Sequence, residues 1–234
     1  MHFTISREKL AWLLQTASRP IPARSTLPSL KGCLIEALSD RVVLSGTNLD
    51  WGVKVSSEAN VLSSGSLVVS SKILEDIVRT ISLPEITLFL DESAWALTVK
   101  AGNSEIVLNA VPAEDFPRWP EPPGKESISL KDKIFKELVR VGSTCAVTNP
   151  ARPLWGACLL DLLGDKIVLV STDQFALSQA QIRAEVPKAR AIVPANVLQD
   201  ISRLKDVDDG DEISLELAGG YLYLSGKNFS SFSR

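Results

Sequence analysis

The sequence predicts an α+β protein built from two similar domains in tandem, each with two helices backed by antiparallel sheet. Three observations carry this. First, Pro28 to Asp50 (PSLKGCLIEALSDRVVLSGTNLD) and Pro153 to Phe175 (PLWGACLLDLLGDKIVLVSTDQF) superpose at a shift of 125, with eight of 23 positions identical. A repeat of this length makes two domains of one chain. Second, apolar residues at helical spacing recur at matching places in each copy, between runs that alternate with period two. Third, Val111 to Ser127 (VPAEDFPRWPEPPGKES) is too rich in proline for regular structure and separates the copies. The domains are read as 1–117 and 128–234, joined by a short, semi-rigid connector over 118–127.

Element by element, Phe3-Thr4-Ile5 reads as a strand and Ser6 as the cap of a helix. Glu8 sits in its first turn and Leu10, Leu13, Leu14 and Ala17 form its apolar stripe. Residues 19–26 are a loop. Strands over 27–38 and 42–47 form a hairpin around Leu38 to Arg41, and 51–61 continues as one strand. A strand over 65–70 leads into a second helix whose stripe is Ile73, Leu74, Ile77 and Ile81. A meander over 86–90, 94–100 and 104–110 closes the first domain. The second domain repeats the order, with a strand over 128–130 and a helix over 132–142 carrying Ile134, Phe135, Leu138, Val139 and Val141. The hairpin copy follows. A last helix carries Val197, Leu198 and Ile201, with Pro194 in its first turn, where a missing N–H costs nothing. Strands over 212–217, 221–226 and 229–234 end the chain. Arg234 corresponds to about Ala110, so the second copy reads as cut short relative to the first, with an unanchored last strand.

Composition narrows the function. With 45% hydrophobic and 23% charged residues and no apolar run of membrane-spanning length, the chain reads as an ordinary soluble protein, and the expected location is the cytoplasm. The sole histidine is His2, which excludes most Ser-His, Cys-His and His-metal chemistry. Cys33, Cys145 and Cys158 lack metal-ligand spacing and read as small core residues. Asp208, Asp209, Asp211 and Glu212 cluster in a Gly-containing turn and read as a solvated acidic surface. No catalytic residue, metal or cofactor is expected. The net charge of −3 gives no overall basic footprint, although such a sum hides a local basic face. The helices do carry cations: Arg7, Lys9, Lys72 and Arg79 in the first domain, then Lys131, Lys133, Lys136, Arg140, Arg203 and Lys205. Acidic residues share these helices, so a solvated face and a phosphate-contacting face both stand. Lys133, Lys136 and Arg140, three and four apart, share one side of a helix.

Five short runs, in order on this repeat, then point to one family. They are MHFTISREKL at the start, Arg24-Ser25-Thr26-Leu27-Pro28, Gly46-Thr47-Asn48-Leu49, Pro112 to Pro117 (PAEDFP) and Ser171-Thr172-Asp173. With them the whole chain resembles the bacterial sliding clamps, the beta subunits of DNA polymerase III. The resemblance implies the DNA-clamp fold and a non-catalytic processivity role. Six such domains close around duplex DNA without reading its sequence, and the polymerase and clamp loader are the partners. It puts Arg24, Lys72, Arg79, Lys136, Arg140, Arg152 and Arg203 on the DNA-facing side. Ile106 and Leu108 fall at the ring-closing contact of a homo-oligomer, and Trp155, Thr172, Gln174, Phe175, Ala176 and Leu177 in the pocket for partner peptides. The chain departs from the family there: Gln174-Phe175-Ala176-Leu177 stands where Gly-His-Arg-Leu is usual, and Trp155 replaces a smaller apolar residue. The family has three domains and this chain matches two. The alternative role is therefore a truncated or diverged paralogue that binds full-length clamp without forming a ring, or a fragment without function.

Overall fold

The structure, a computed structural model, describes residues 1–124, 126–149, 151–204 and 211–234. Lys205, Asp208 and Asp209 of the expected basic and acidic surfaces lie outside the described residues. The chain divides into two compact units, Met1–Trp119 and Pro120–Arg234. Trp119, at the end of the first unit, lies under Lys54, whose Nζ is 4.6 Å from the ring centroid.

In the first unit β1 (His2–Ser6) leads directly into α1 (Arg7–Ala17). Ser6 caps the helix as the sequence predicts, its hydroxyl accepting from the Lys9 N–H at 3.3 Å. The Arg7 N–H, which has no partner within the helix, donates to Pro84 O at 2.8 Å. Then come β2 (Gly32–Ala37), β3 (Arg41–Thr47), β4 (Trp51–Glu58), β5 (Asn60–Ser63), β6 (Gly65–Ser70), α2 (Ser71–Thr80), β7 (Glu85–Asp91), β8 (Ala96–Ala101) and β9 (Ser104–Val111). The strand order is β4-β3-β2-β6-β9-β8-β7-β1-β5. Every pairing within it is antiparallel. The core lies between the packed helices α1 and α2 and the inner face of this sheet, around Phe3, Leu10, Leu13, Leu14, Ile35, Leu44, Leu67, Leu74 and Leu88.

The second unit repeats the plan. It comprises β10 (Ile128–Lys131), α3 (Asp132–Gly142), β11 (Ala157–Leu162), β12 (Lys166–Thr172), β13 (Leu177–Arg183), β14 (Ala189–Pro194), α4 (Ala195–Ser202), β15 (Glu212–Ala218), β16 (Tyr221–Ser225) and β17 (Phe229–Ser233). Strands pair as β13-β12-β11-β14 and as β10-β15-β16-β17. The Asp132 N–H donates to Asp211 O at 2.8 Å, the counterpart of the Arg7–Pro84 bond. α3 packs on α4, with Phe135, Leu138, Val139, Val197, Leu198 and Ile201 buried.

The structure corrects several expectations. The first hairpin strand begins at Gly32 rather than Leu27, because Pro28–Lys31 forms a 3-10 turn closed by the Leu30 N–H on Leu27 O. The strand expected over 51–61 is two: it breaks at Ala59, whose N–H bonds Asp40 O, and β5 crosses to pair with β1. On α2 the buried line is Ser71, Leu74 and Val78, while Ile73 is 51% exposed. Pro194 ends β14 and caps α4 rather than entering its first turn. The sequence pattern assigns no strand to residues 177–193, yet β13 and β14 are there. β17 is anchored, pairing with β16 from Ser225↔Ser230 to Leu222↔Ser233, with Phe229 and Phe232 buried.

One contact explains a difference between the repeats. In the first unit α1 and β3 approach so closely that a Cβ on Gly46 would lie 1.9 Å from Ala17 O. At the shift of 125 the pair Ala17 and Gly46 becomes Gly142 and Ser171. The glycine has moved from strand to helix, where an added Cβ would meet the Leu169 side chain at 2.8 Å. Ser171, freed to carry a side chain, binds Ser178 Oγ at 2.8 Å and accepts from the Cys145 N–H at 3.1 Å. Ser178 in turn donates to Gly142 O, tying the end of α3 to the sheet.

Candidate nucleic-acid interface

The helix pair of the second unit presents a groove of about 360 Å³ lined by Lys136, Arg140, Ser143, Thr144, Gln199, Ser202 and Arg203. Helical spacing places the polar donors beside the cations: Ser143 and Thr144 follow Arg140 by three and four residues, and Gln199 precedes Arg203 by four. Gln199 Nε2 donates to Ser143 Oγ at 3.0 Å and holds the two helices in register. These hydroxyl and amide groups were not singled out from sequence, although the same i, i+3 and i, i+4 arithmetic finds them. Lys133 points elsewhere: it lines the neighbouring groove between α3 and β13, with Ile134, Glu137 and Ile182.

The three cations of the groove are not equally available. Arg140 forks onto Glu137, Nε to Oε2 at 2.8 Å and Nη2 to Oε1 at 2.6 Å. That bond holds the Glu137 carboxyl below its ordinary pKa and raises the guanidinium above its own. Lys136 Nζ lies 2.5 Å from Oδ2 of Asp132, a carboxylate only 1% exposed, so the lysine is tied to a buried charge. Arg203 is exposed and has no ion-pair partner among the described residues. In the first unit Arg79 is held by Asp76 at 2.7 Å, whereas Lys72 and Arg24 are exposed without an acidic partner among the described residues. Arg152 is exposed and stacks over Trp155 at 5.2 Å. The groove of the second unit thus holds two pre-paired cations and one without an ion-pair partner among the described residues, and α2 carries one of each kind.

The predicted partner pocket falls at one end of the sheet β13-β12-β11-β14. Register pairs Leu159 with Val170, so the start of β11 and the end of β12 share that end. Trp155 is half-buried there, its carbonyl accepting from the Val147 N–H at 2.8 Å. Between β12 and β13 the chain makes a tight loop. The Thr172 hydroxyl donates to Ala176 O at 2.8 Å and accepts from the Gln174 N–H at 3.2 Å. Asp173 Oδ1 accepts from the N–H groups of Phe175 and Ala176 at 2.9 and 2.8 Å, which lowers the pKa of its carboxyl. Phe175 at the tip is 94% exposed, with Leu177 at 64% and Leu154 at 69%. The first unit builds the same loop. Thr47 bonds Trp51 O and the Leu49 N–H, Asn48 accepts from Asp50 and Trp51, and Leu49 at φ 80° matches Gln174 at φ 79°.

The predicted ring contact lies on β9. Ser104–Asn109 pairs only with β8 among the described residues, and only Ala110 and Val111 reach β6. Ile106 is 38% exposed and Leu108 half-buried, both on the face of the sheet that carries buried Val99 and Leu97.

The N-terminal-domain model of the DNA polymerase III beta subunit matches residues 1–120, and the central-domain model of the same subunit matches residues 129–234. The chain belongs to the DNA polymerase III beta subunit family. Among its relatives, the beta sliding clamp of Streptomyces coelicolor is 30% identical over 223 residues, 94% of this chain and 58% of that protein. The beta sliding clamp of Pseudomonas aeruginosa is 30% identical over 218 residues, 90% of this chain and 58% of that protein. A crystal structure of a Pseudomonas aeruginosa sliding clamp bound to griselimycin superposes with a TM-score of 0.92 at 27% identity, covering all of this chain and 64% of that one. The Bacillus subtilis sliding clamp shares the fold, with a TM-score of 0.91 at 20% identity. The chain thus spans 58% to 64% of the length of these beta-subunit relatives. The α+β clamp fold expected from the sequence is borne out.

Proposed function

We propose that the chain serves as a sliding-clamp element. It is a non-catalytic tether that holds a replicative DNA polymerase on duplex DNA without reading sequence, and it works in the cytoplasm. The observation that carries this reading is the match of both units, in order, to the first two clamp domains. The cations support it. Arg24, Lys72 and Arg203 are exposed without acidic partners among the described residues; Arg79 and Arg140 would have to leave exposed carboxylates to reach phosphate, and Lys136 stays tied to buried Asp132 and adds its charge from there. Arg152 adds a cation on the loop before β11. Contacts of this kind are ionic and serve any sequence. The end of the sheet around Trp155, Thr172, Gln174, Phe175, Ala176 and Leu177 is the proposed seat of polymerase and clamp-loader peptides. Its Phe175 offers an apolar knob where the family's usual run offers His and Arg. Ile106 and Leu108 are the proposed ring contact, made with further copies of the chain or with full-length clamp.

Retention on DNA tests this. Protein loaded on a nicked circle should remain through a high-salt wash and leave when the circle is cut. Equal loss from circular and linear DNA overturns the tethering role. A second reading, an interaction protein that binds full-length clamp through its first domain, is favoured by the open edge of β9. It predicts a 1:1 complex in pull-down with full-length clamp, and absence of that complex removes it.

A further inference from the structure

One short segment joins the groove of the second unit to the loop between β12 and β13. Ser143, Thr144 and Ala146 line the groove beside Arg140 and Arg203. The backbone of the same segment is bonded to the other side. The Cys145 N–H donates to Ser171 Oγ at 3.1 Å, and the Val147 N–H donates to the Trp155 carbonyl at 2.8 Å. Ser171 comes immediately before the loop Thr172 to Leu177, and Ser178 immediately after it. On the groove side, Thr144 donates to Arg140 O at 2.8 Å, and Ser143 accepts from Gln199 of α4 at 3.0 Å. The C-terminal end of α3 is therefore bonded to the helix of each arginine and to both stems of the loop.

The bonds through the two serines run in one direction. A hydroxyl has one proton to give. Ser178 gives its proton to Gly142 O at 3.1 Å, so the 2.8 Å contact between the hydroxyls is a donation from Ser171 to Ser178. Ser171 is 3% exposed, which shields the chain from water. The Cys145 N–H also lies 3.3 Å from Ser178 Oγ, so either hydroxyl can be its acceptor. Coupling between sites needs an element with two arrangements that both sites bias, and this shared N–H supplies one. The first unit builds the same loop without the bridge. At the shift of 125, Gly142, Cys145, Ser171 and Ser178 become Ala17, Pro20, Gly46 and Val53, which offer neither the N–H nor the hydroxyls. The loop does not need the bridge for its shape, and only the unit with the proposed partner residues has it.

We infer that the Ser171–Ser178 pair couples the partner loop to the DNA groove, so that duplex in the groove changes the state of the loop. The inference rests on the roles proposed above for the two sites. Phosphate draws Arg140 off Glu137 and shifts the end of α3, the Cys145 N–H passes from one hydroxyl to the other, and the stems of the loop follow. By linkage, a peptide held on the loop changes the affinity for duplex by the same factor as duplex changes the affinity for the peptide.

A trifluoromethyl tag at the loop tip tests this by fluorine NMR. It is attached through Phe175→Cys in a Cys145→Ala background, which keeps the backbone N–H and leaves only buried Cys33 and Cys158. A saturating short duplex should move the resonance of the tag. Ser178→Ala, which alters no groove residue, should abolish the movement while anisotropy shows the duplex still bound. Ser171→Ala breaks the chain at its other link and should act alike. Ser178→Thr returns the hydroxyl and should restore the movement, which a merely structural role for the side chain would not require. Bound duplex with no movement, or the same movement in both alanine variants, overturns the coupling and leaves the tethering role standing. A duplex that does not bind at all overturns both.

Discussion

The cations of the α3–α4 groove differ in what holds them, and this sets an order of effects on DNA binding. Arg203 has no acidic partner among the described residues, Arg140 is forked onto Glu137, and Lys136 is tied to buried Asp132. If Arg203 neutralises one phosphate, Arg203→Ala lowers the slope of log K against log salt by about 0.9. Between 50 and 200 mM salt, a fourfold change, the variant then loses about 3.5-fold less affinity than the wild type. Arg140→Ala should change the slope less, because its guanidinium must leave a carboxylate to reach phosphate. Glu137→Gln, which frees that guanidinium, should tighten binding. Lys136→Ala confounds binding with folding, since it strands a carboxylate that is 1% exposed. Fluorescence anisotropy with a short duplex, titrated at four salt concentrations, measures the slopes. Lys100→Ala, an exposed change on β8 of the first unit, is the control. Equal slopes for Arg203→Ala and the wild type, or equal effects of Arg203→Ala and Lys100→Ala, refute the assignment of the groove.

Other outcomes follow from the same geometry. Gly142→Ala should destabilise the second unit by about 1–2 kcal/mol in urea unfolding, because overpacking against Leu169 outweighs the gain in helix propensity. The double variant with Leu169→Ala should lose less than the sum of the single changes, and additive losses would show that the two positions do not clash. Asp173 accepts two backbone N–H bonds, so its folded pKa lies below the unfolded carboxylate value of about 3.9. Its contribution to stability is present above that value and disappears as pH falls through the lowered pKa. The urea midpoint of Asp173→Asn should therefore fall less than that of the wild type between pH 5 and pH 2, and matching curves would sink this account. Phe175→Ala should leave stability unchanged, since the ring is 94% exposed, and should abolish capture of clamp-loader or polymerase peptides in a surface-binding assay. Unaltered capture removes Phe175 from the proposed pocket.

The sequence made the repeated frame legible where local chemistry and tertiary packing agree. Ser6 before Arg7 is a preferred helix cap, and the shift of 125 carries Cys33 onto Cys158 and Leu44 onto Leu169, each buried at the equivalent place in its own unit. It failed where tertiary pairing overrides a weak local signal. β13 reads Leu-Ser-Gln-Ala-Gln-Ile-Arg, where polar and apolar residues alternate only from Gln179 to Arg183, with small Ala180 as one of the two apolar members and no position fully buried. Ile73 and Leu74 are alike in a helical pattern, and only the position of the neighbouring sheet decides that Leu74 is buried. The basic residues were readable as types but not as available charges. Side-chain placement decides that Arg140 is forked and Arg203 is not, and that Asp132 at the start of α3 is buried rather than facing water.

The loop at Thr172 to Ala176 joins what the sequence gets right to what it leaves open. Its shape comes from one hydroxyl and one side-chain oxygen: Thr172 and Asp173 here, Thr47 and Asn48 in the first unit. Both are short side chains that bond their own backbone, and both turns pass one residue through positive φ. The bonds that fix the loop reach the following residues only through main-chain N–H and C=O groups. The identities of the tip residues therefore do not enter the geometry. Leu49-Asp50 and Gln174-Phe175 occupy equivalent tips with no common chemistry. A repeat can thus keep its core and its turn while exchanging the surface it shows to a partner. This is why the stretch from Pro153 to Phe175 carries the fold through Cys158, Leu159 and Leu169, and why the partner choice proposed above rests on Phe175, a side chain that the fold does not constrain.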